Sequence, residues 1–265
     1  MDDALFLPGL PAELIRAAYL TAPGNEIESG KFASQASSAA LVANTFGLFI
    51  GDPATMPSLP GVQDCGWPAK SLALEATVRF PWQGGRHPCL DVLITTTNAL
   101  IGVESKRYEP FRTKAAPDNL SNAYWRAAWG SKMAGYERCR DGLRNGSIRF
   151  DRLDAAQLIK HAFALRTAVQ PKAIYASHRP VLFYLYAEPE HWPGETRSVP
   201  IEDRVTHRNE ISAFSNLVAE DEVTFRATSY SELLADWLDG SSNLIRAHAV
   251  AVADRFSIKI TSRNP

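Results

Sequence analysis

Apolar and polar positions along this chain follow two periods, and the switches between them divide it into blocks. Leu14, Ile15 and Ala18 recur at helical spacing within Pro11–Leu20. Asn25–Thr45 continues as a longer helix rich in Ala and Ser, closed by Gly47. Gly51 to Pro68 gathers Asp52, Pro53, Pro57, Pro60, Gly61 and Pro68 and reads as a loop. The period then becomes two. Leu72–Phe80, Cys89–Thr95 and Leu100–Lys106 predict three strands, with turns at Trp82–Pro88, where Gly84 and Gly85 fall, and at Thr96–Ala99. Helical spacing returns over Asn119–Leu143 and over Asp154–Val169, the second behind a cap at Asp151 or Asp154. Lys172–Ala176 and the almost wholly apolar Val181–Ala187 predict strands, and Glu188–Pro200 a loop. Asp203–Val218 predicts a helix, Glu222–Ala227 a strand, and Ser231–Arg255 a helix with a break at Gly240. This order predicts an α/β protein whose sheet begins antiparallel and becomes mixed. No boundary divides it cleanly, so residues 1–265 read as a single domain with an N-terminal helical segment over about residues 1–50.

A chain of 265 residues, 45% hydrophobic, can bury a core without disulfides or structural metal. Cys65, Cys89 and Cys139 are single and widely spaced, with no zinc-ligand pattern. No apolar run approaches the roughly 20 residues of a membrane span. The start, with Asp2 and Asp3, lacks the basic region of a secretion signal, so the expected location is the cytoplasm, without membrane contact. The net charge of −1 hides an asymmetry. Lys106 to Arg179 carries 15 Lys and Arg against 6 Asp and Glu, and the remainder 13 against 23. A basic middle of this kind predicts either a cationic surface for a polyanion or a set of solvated helix faces.

The chemistry concentrates in His87–Phe111. A hairpin turning at Thr97–Asn98 sets Val92 opposite Val103 and Ile94 opposite Ile101. Continued outward, it opposes Asp91 to Glu104 and Cys89 to Lys106. Asp91, Glu104 and Lys106 would then converge on one face. Two carboxylates opposed across strands repel unless a proton or cation lies between them. An oxygen-seeking divalent metal such as Mg²⁺, with Mn²⁺ as substitute, resolves the conflict, and the backbone carbonyl of Ser105 offers a further ligand. Lys106 would sit beside a metal-bound water. The same residues also suit a solvent-facing ion pair on an amphipathic hairpin.

Asp91, twelve residues and then Glu104-Ser105-Lys106 resemble the signature of the PD-(D/E)XK nuclease superfamily, with Leu90 standing where Pro is usual. Gln157-Leu-Ile-Lys-His161 resembles the QxxxY helix motif of RecB-like members, with His161 in the Tyr position. Residues four apart share a helical face. SSAALVANTFG, LDVLITTTNALIGVESK, LDAAQLIKHAFAL, VLFYLYAEP and SYSELLADW, between Ser37 and Trp237, resemble a group of uncharacterised restriction endonucleases in that superfamily. The resemblance implies a restriction-endonuclease-like core, a mixed sheet flanked by helices. It implies a Mg²⁺-dependent nuclease acting on nucleic acid, double-stranded DNA in the first instance, leaving a 5′-phosphate and a 3′-hydroxyl. Asp91 and Glu104 would hold metal, Lys106 would act on the attacking water, and Gln157 and His161 would complete the catalytic set. A homodimer is compatible with it. The rival reading is a non-catalytic nucleic-acid-binding or assembly module with the same fold.

Other candidates are weaker. Glu75, Glu26 and Glu28 are possible further carboxylates. His207 and Glu210 could ligate metal from one helical face but lack a second His, and a helix surface is the simpler reading. Trp125 and Trp129 suit base stacking or, more simply, a core stripe. Serine-hydrolase, P-loop and dinucleotide-binding signatures are absent.

Overall fold

The computed structural model describes residues 5–80, 82, 87–113 and 120–260. Asp2, Asp3, Gly84 and Gly85 lie outside them, as do Lys114 and Asn119. Five strands form one mixed sheet in the order β1-β2-β3-β4-β5: β1 Ser71–Thr77, β2 Cys89–Thr95, β3 Ala99–Lys106, β4 Arg179–Tyr186 and β5 Thr224–Ser229. β1, β2 and β3 pair antiparallel, and β3, β4 and β5 pair parallel. The helices are α1 Ala12–Thr21, α2 Ser38–Phe46, α3 Ala134–Asn145, α4 Ala155–Ala168, α5 Ile201–Leu217, α6 Tyr230–Gly240 and α7 Asn243–Phe256. This is an α/β architecture, a mixed sheet flanked by helices, as the resemblance implies.

Both faces of the sheet are covered, which is why β3 and β4 read as continuous apolar runs. Val92, Ile94, Ile101, Val103, Val181 and Phe183 face a core closed by residues of α1, α2, α6 and α7. Leu90, Leu100, Leu182 and Tyr184 face a second core closed by α3, α4 and α5. At Gly102 a Cβ would lie 2.7 Å from Leu90 Cδ1 and 3.1 Å from Leu165. Glycine there lets α4 settle onto β3, and α4 carries His161. Because β3, β4 and β5 are parallel, their carboxyl ends share one edge, where such sheets bind ligands. The amino end of β2 returns to the same edge.

Several predicted elements differ. Asn25–Thr45 is not one helix. Asn25 and Gly30 have positive φ, Phe32 packs edge-on against Phe6 and Tyr19, and α2 begins only where Ser37 caps Ala40 N. Asn119–Leu143 is likewise interrupted. Gly130 has φ +78°, and Trp129 is drawn inward to stack on Phe163 at 4.2 Å, so α3 starts at Ala134. The strand predicted at Lys172–Ala176 is a series of turns, with Lys172 at φ +71° and Ile174 exposed. The C-terminal helix does break at Gly240 as its sequence predicts, α6 ending there and Ser242 capping α7. Among the described residues no helix is long and apolar enough to cross a membrane.

Candidate functional site

The β2–β3 hairpin adopts the predicted register at Val92↔Val103, Leu93↔Gly102, Ile94↔Ile101 and Thr95↔Leu100. Thr96 closes the turn, its N donating to Ala99 O and its Oγ1 accepting from Ala99 N, both at 3.0 Å. The ladder stops one pair short of Asp91–Glu104, and Cys89 and Lys106 do not pair. Instead Asp91 Oδ2 accepts from Ser105 N at 2.6 Å, so a carboxylate replaces a strand carbonyl where the strands part. Lys106 O faces β4, accepting from Ala187 N at 2.8 Å. By strand alternation the carbonyl of Ser105, like its N–H, faces Asp91. The Ser105 hydroxyl lies on the other face of β3, 2.7 Å from Tyr230 Oη.

Glu104 is 1% exposed. Its Oε1 lies 2.5 Å from Lys106 Nζ and its Oε2 3.1 Å from His161 Nε2. Both contacts are close, yet neither oxygen has a hydrogen bond of regular geometry. The attraction of Lys106 and His161 for the carboxylate therefore stands on charge and distance. Burial raises the Asp91 pKa well above the ordinary carboxylate range, the charges of Glu104 and Glu75 add to it, and Lys106 partly offsets it. Burial pulls Lys106 down, but Glu104, Asp91 and Glu109 outweigh it, and the ammonium is held more firmly than usual. Burial lowers the His161 pKa against the pull of Glu104. A proton on Nε2 suits the carboxylate beside it.

α4 delivers His161 to the sheet because its start is fixed twice. Asp154 caps Gln157 N at 2.9 Å, and the Glu210 carboxylate accepts from the N–H groups of Asp151, Arg152 and Leu153. Glu210 is thus committed to the backbone. His207 is buried, with Nε2 2.9 Å from Tyr184 Oη and its pKa pushed down to about 3 by burial. The two residues serve separate structural contacts. Gln157, half-buried, lies one turn before His161. Among the described residues its side chain makes no hydrogen bond to Asp91, Glu104 or Lys106. The structure therefore brings together Asp91, Glu104, Ser105, Lys106 and His161, with Gln157 on the flank.

Sequence reasoning passed over Glu109. Its Oε1 accepts from Ser38 Oγ at 2.6 Å and its Oε2 from Arg107 N and Tyr108 N, which fixes the chain as it leaves Lys106. Burial opposes its ionisation, but Lys106 and these hydrogen bonds prevail and lower its pKa. A carboxylate three residues beyond a strand carries no local pattern that marks it.

Glu75 is half-buried on β1, in the gap between Leu74↔Val92 and Ala76↔Leu90, where regular pairing would oppose it to Asp91. Its φ of +50° is strained for a strand residue. Burial raises its pKa to about 7, with Glu26 and Glu104 adding to the rise and a hydrogen bond from Cys89 Sγ opposing it. Glu26 is half-buried, whereas Glu28 is exposed. The folded chain holds the Glu75 proton more tightly than the unfolded one. That stabilisation is complete below the unfolded carboxylate range and is lost as pH rises through about 7. Glu75→Gln should thus gain melting temperature relative to wild type between about pH 5 and about pH 8, read by thermal melts across pH. A difference that stays constant with pH would show that Glu75 does not titrate in this way.

The donors that could serve a metal are hard oxygens: the second oxygen of Asp91, the Glu104 carboxylate in exchange for Lys106, and the Ser105 carbonyl. Among the described residues no group of three or more His, Cys, Asp and Glu side chains is arranged to hold an ion. Two carboxylates and a carbonyl, completed by water and phosphate oxygens, fit Mg²⁺ or Mn²⁺ better than a metal demanding a full protein cage.

The basic middle is less free than its charge count suggests. Arg107 donates to the carbonyls of Gln35 and Phe256, and Arg140 to that of Tyr124. Arg152 pairs with Asp203, Arg166 with Glu222 and Arg179 with Asp64. Arg112, Arg126, Lys132, Arg138, Arg144 and Lys172 are exposed. Trp129 is core, while Trp125 is half-buried beneath Arg144 at 4.3 Å. Cys65, Cys89 and Cys139 are free thiols.

Residues 15–255 match the model of a protein family described as restriction endonuclease associating with ARP. No curated protein and no solved structure matches the chain.

Proposed function

Since the chain belongs to the family of restriction endonucleases associating with ARP, we propose that it hydrolyses phosphodiester bonds of double-stranded DNA with Mg²⁺ at Asp91, Glu104 and Lys106. One observation carries this reading. A fully buried Glu104, held by Lys106 and His161, stands beside an Asp91 whose ionisation burial and Glu104 oppose. A divalent cation between the two carboxylates relieves their repulsion.

Asp91, Glu104 and the Ser105 carbonyl would hold the metal. When bound, it polarises the scissile phosphate and lowers the pKa of a water. Lys106 keeps its proton, so its part is to orient the attacking water and to balance charge building on the phosphate. His161 holds the Glu104 carboxylate in place. Gln157, one turn earlier on α4, faces the nucleic-acid backbone. The exposed arginines and lysines of the basic middle grip phosphates without reading sequence. The association named in the family description makes an ARP protein the proposed partner, and the proposed location is the cytoplasm.

Supercoiled plasmid incubated with the wild-type chain tests the reading. Nicked or linear DNA should form with Mg²⁺ and not with EDTA, and duplex binding in Ca²⁺ should weaken steeply with salt. Binding without cleavage, and without a metal-induced thermal shift, would instead favour a non-catalytic module.

A further inference from the structure

Tyr186 stands beside Lys106 in the parallel β3–β4 register, as Tyr184 stands beside Glu104. Paired residues on neighbouring strands share a face and lie about 4.8 Å apart in the backbone. Tyr186 therefore borders the proposed site on its β4 side, at the carboxyl edge of the sheet. Its ring ends a column of three. Phe225 lies near-parallel to Tyr184 at 6.5 Å and 26°, and Tyr184 to Tyr186 at 5.7 Å and 22°. The column is braced by its neighbours. Phe225 and Tyr184 are buried, Tyr184 Oη is held by His207 Nε2 at 2.9 Å, and the His207 ring stands edge-on to Tyr186 at 5.2 Å and 89°. Tyr184 lies one pleat back along β4, so Tyr186 is the last ring of the column on that strand. Tyr186 is only half-buried. An aromatic stack whose last ring keeps part of its surface exposed, next to a fixed ammonium, is suited to receive one more flat ring.

We propose that Tyr186 is a substrate-positioning residue on which one nucleobase stacks, beside the phosphate presented to Lys106. The substrate is accordingly taken with one nucleotide out of its helical stack, at a flap, a gap or a locally opened duplex. This rests on the nuclease reading above and adds which form of DNA the site accepts.

The test uses the full chain in Ca²⁺ with a labelled single-stranded deoxyadenosine oligomer and an abasic oligomer of the same length. Wild type should prefer the base-bearing strand by roughly 5- to 100-fold. Tyr186→Leu, which keeps apolar bulk without a π-face, should lose that preference, and Tyr186→Phe should keep it. A readout that needs no variant is 2-aminopurine in the strand, whose fluorescence should be quenched on binding wild type. The proposal is overturned if Tyr186→Leu discriminates as wild type does, if Tyr186→Phe loses as much as Tyr186→Leu, or if 2-aminopurine stays bright. Wild type that binds neither single strands nor duplex would overturn the nuclease reading itself, which the variants leave untouched.

Discussion

Asp91→Asn is expected to abolish Mg²⁺-dependent cleavage while raising the melting temperature of the metal-free protein. Asparagine keeps an oxygen to accept from Ser105 N, the bond that closes the end of the β2–β3 ladder. What it loses is the charge. In wild type, burial and the Glu104 charge raise the Asp91 pKa. Stability from the retained proton is complete below the unfolded carboxylate range and falls as pH rises through the folded-state value, so at neutral pH an ionisable Asp91 costs stability that asparagine does not. For a chain of this size each kcal/mol recovered corresponds to about 2–4 °C. With a metal ligand missing, plasmid cleavage should fall by roughly 10²–10³-fold or more. The Mn²⁺-induced thermal shift should shrink with it. A variant that melts below wild type without metal would mean that Asp91 serves the fold as an ion-pair partner.

Lys106→Met should act oppositely on stability. Glu104 is buried and Lys106 nearly so, with side-chain exposures of 1% and 14%. Removing one partner of such a pair strands the other, at a cost of about 3–5 kcal/mol. Urea unfolding near pH 8 should show that loss. Mn²⁺ should then stabilise the variant at least as much as wild type, because the competing cation has gone. Cleavage should still fall by roughly 10²-fold. Loss of the Mn²⁺ response together with stability would show that Lys106 shapes the metal-binding geometry rather than acting on water.

The hairpin was legible because its register follows from the turn and the apolar pairs, and both appear in the chain. Val92, Ile94, Ile101 and Val103 meet as their spacing requires. The end of the ladder was not legible, since a carboxylate accepting from Ser105 N leaves no periodic trace. His161 could be placed on a helix by spacing alone, but its reach to Glu104 depends on how closely α4 approaches β3 over Gly102. The elements read too long, Asn25–Thr45 and Asn119–Leu143, share one cause. Phe32 and Trp129 are captured by distant aromatic partners, and burial of a large ring outweighs local helical preference. Glu210 escaped recognition as an anchor because the three N–H groups it holds lie almost sixty residues earlier.

A crystal of the wild-type chain soaked in Mn²⁺, measured at the manganese edge, tests the central claim most directly. The account predicts an anomalous peak bonded to Asp91, Glu104 and the Ser105 carbonyl, with Lys106 released from Glu104 Oε1. A soaked crystal in which Glu104 still holds Lys106 and no peak lies between the two carboxylates would contradict it.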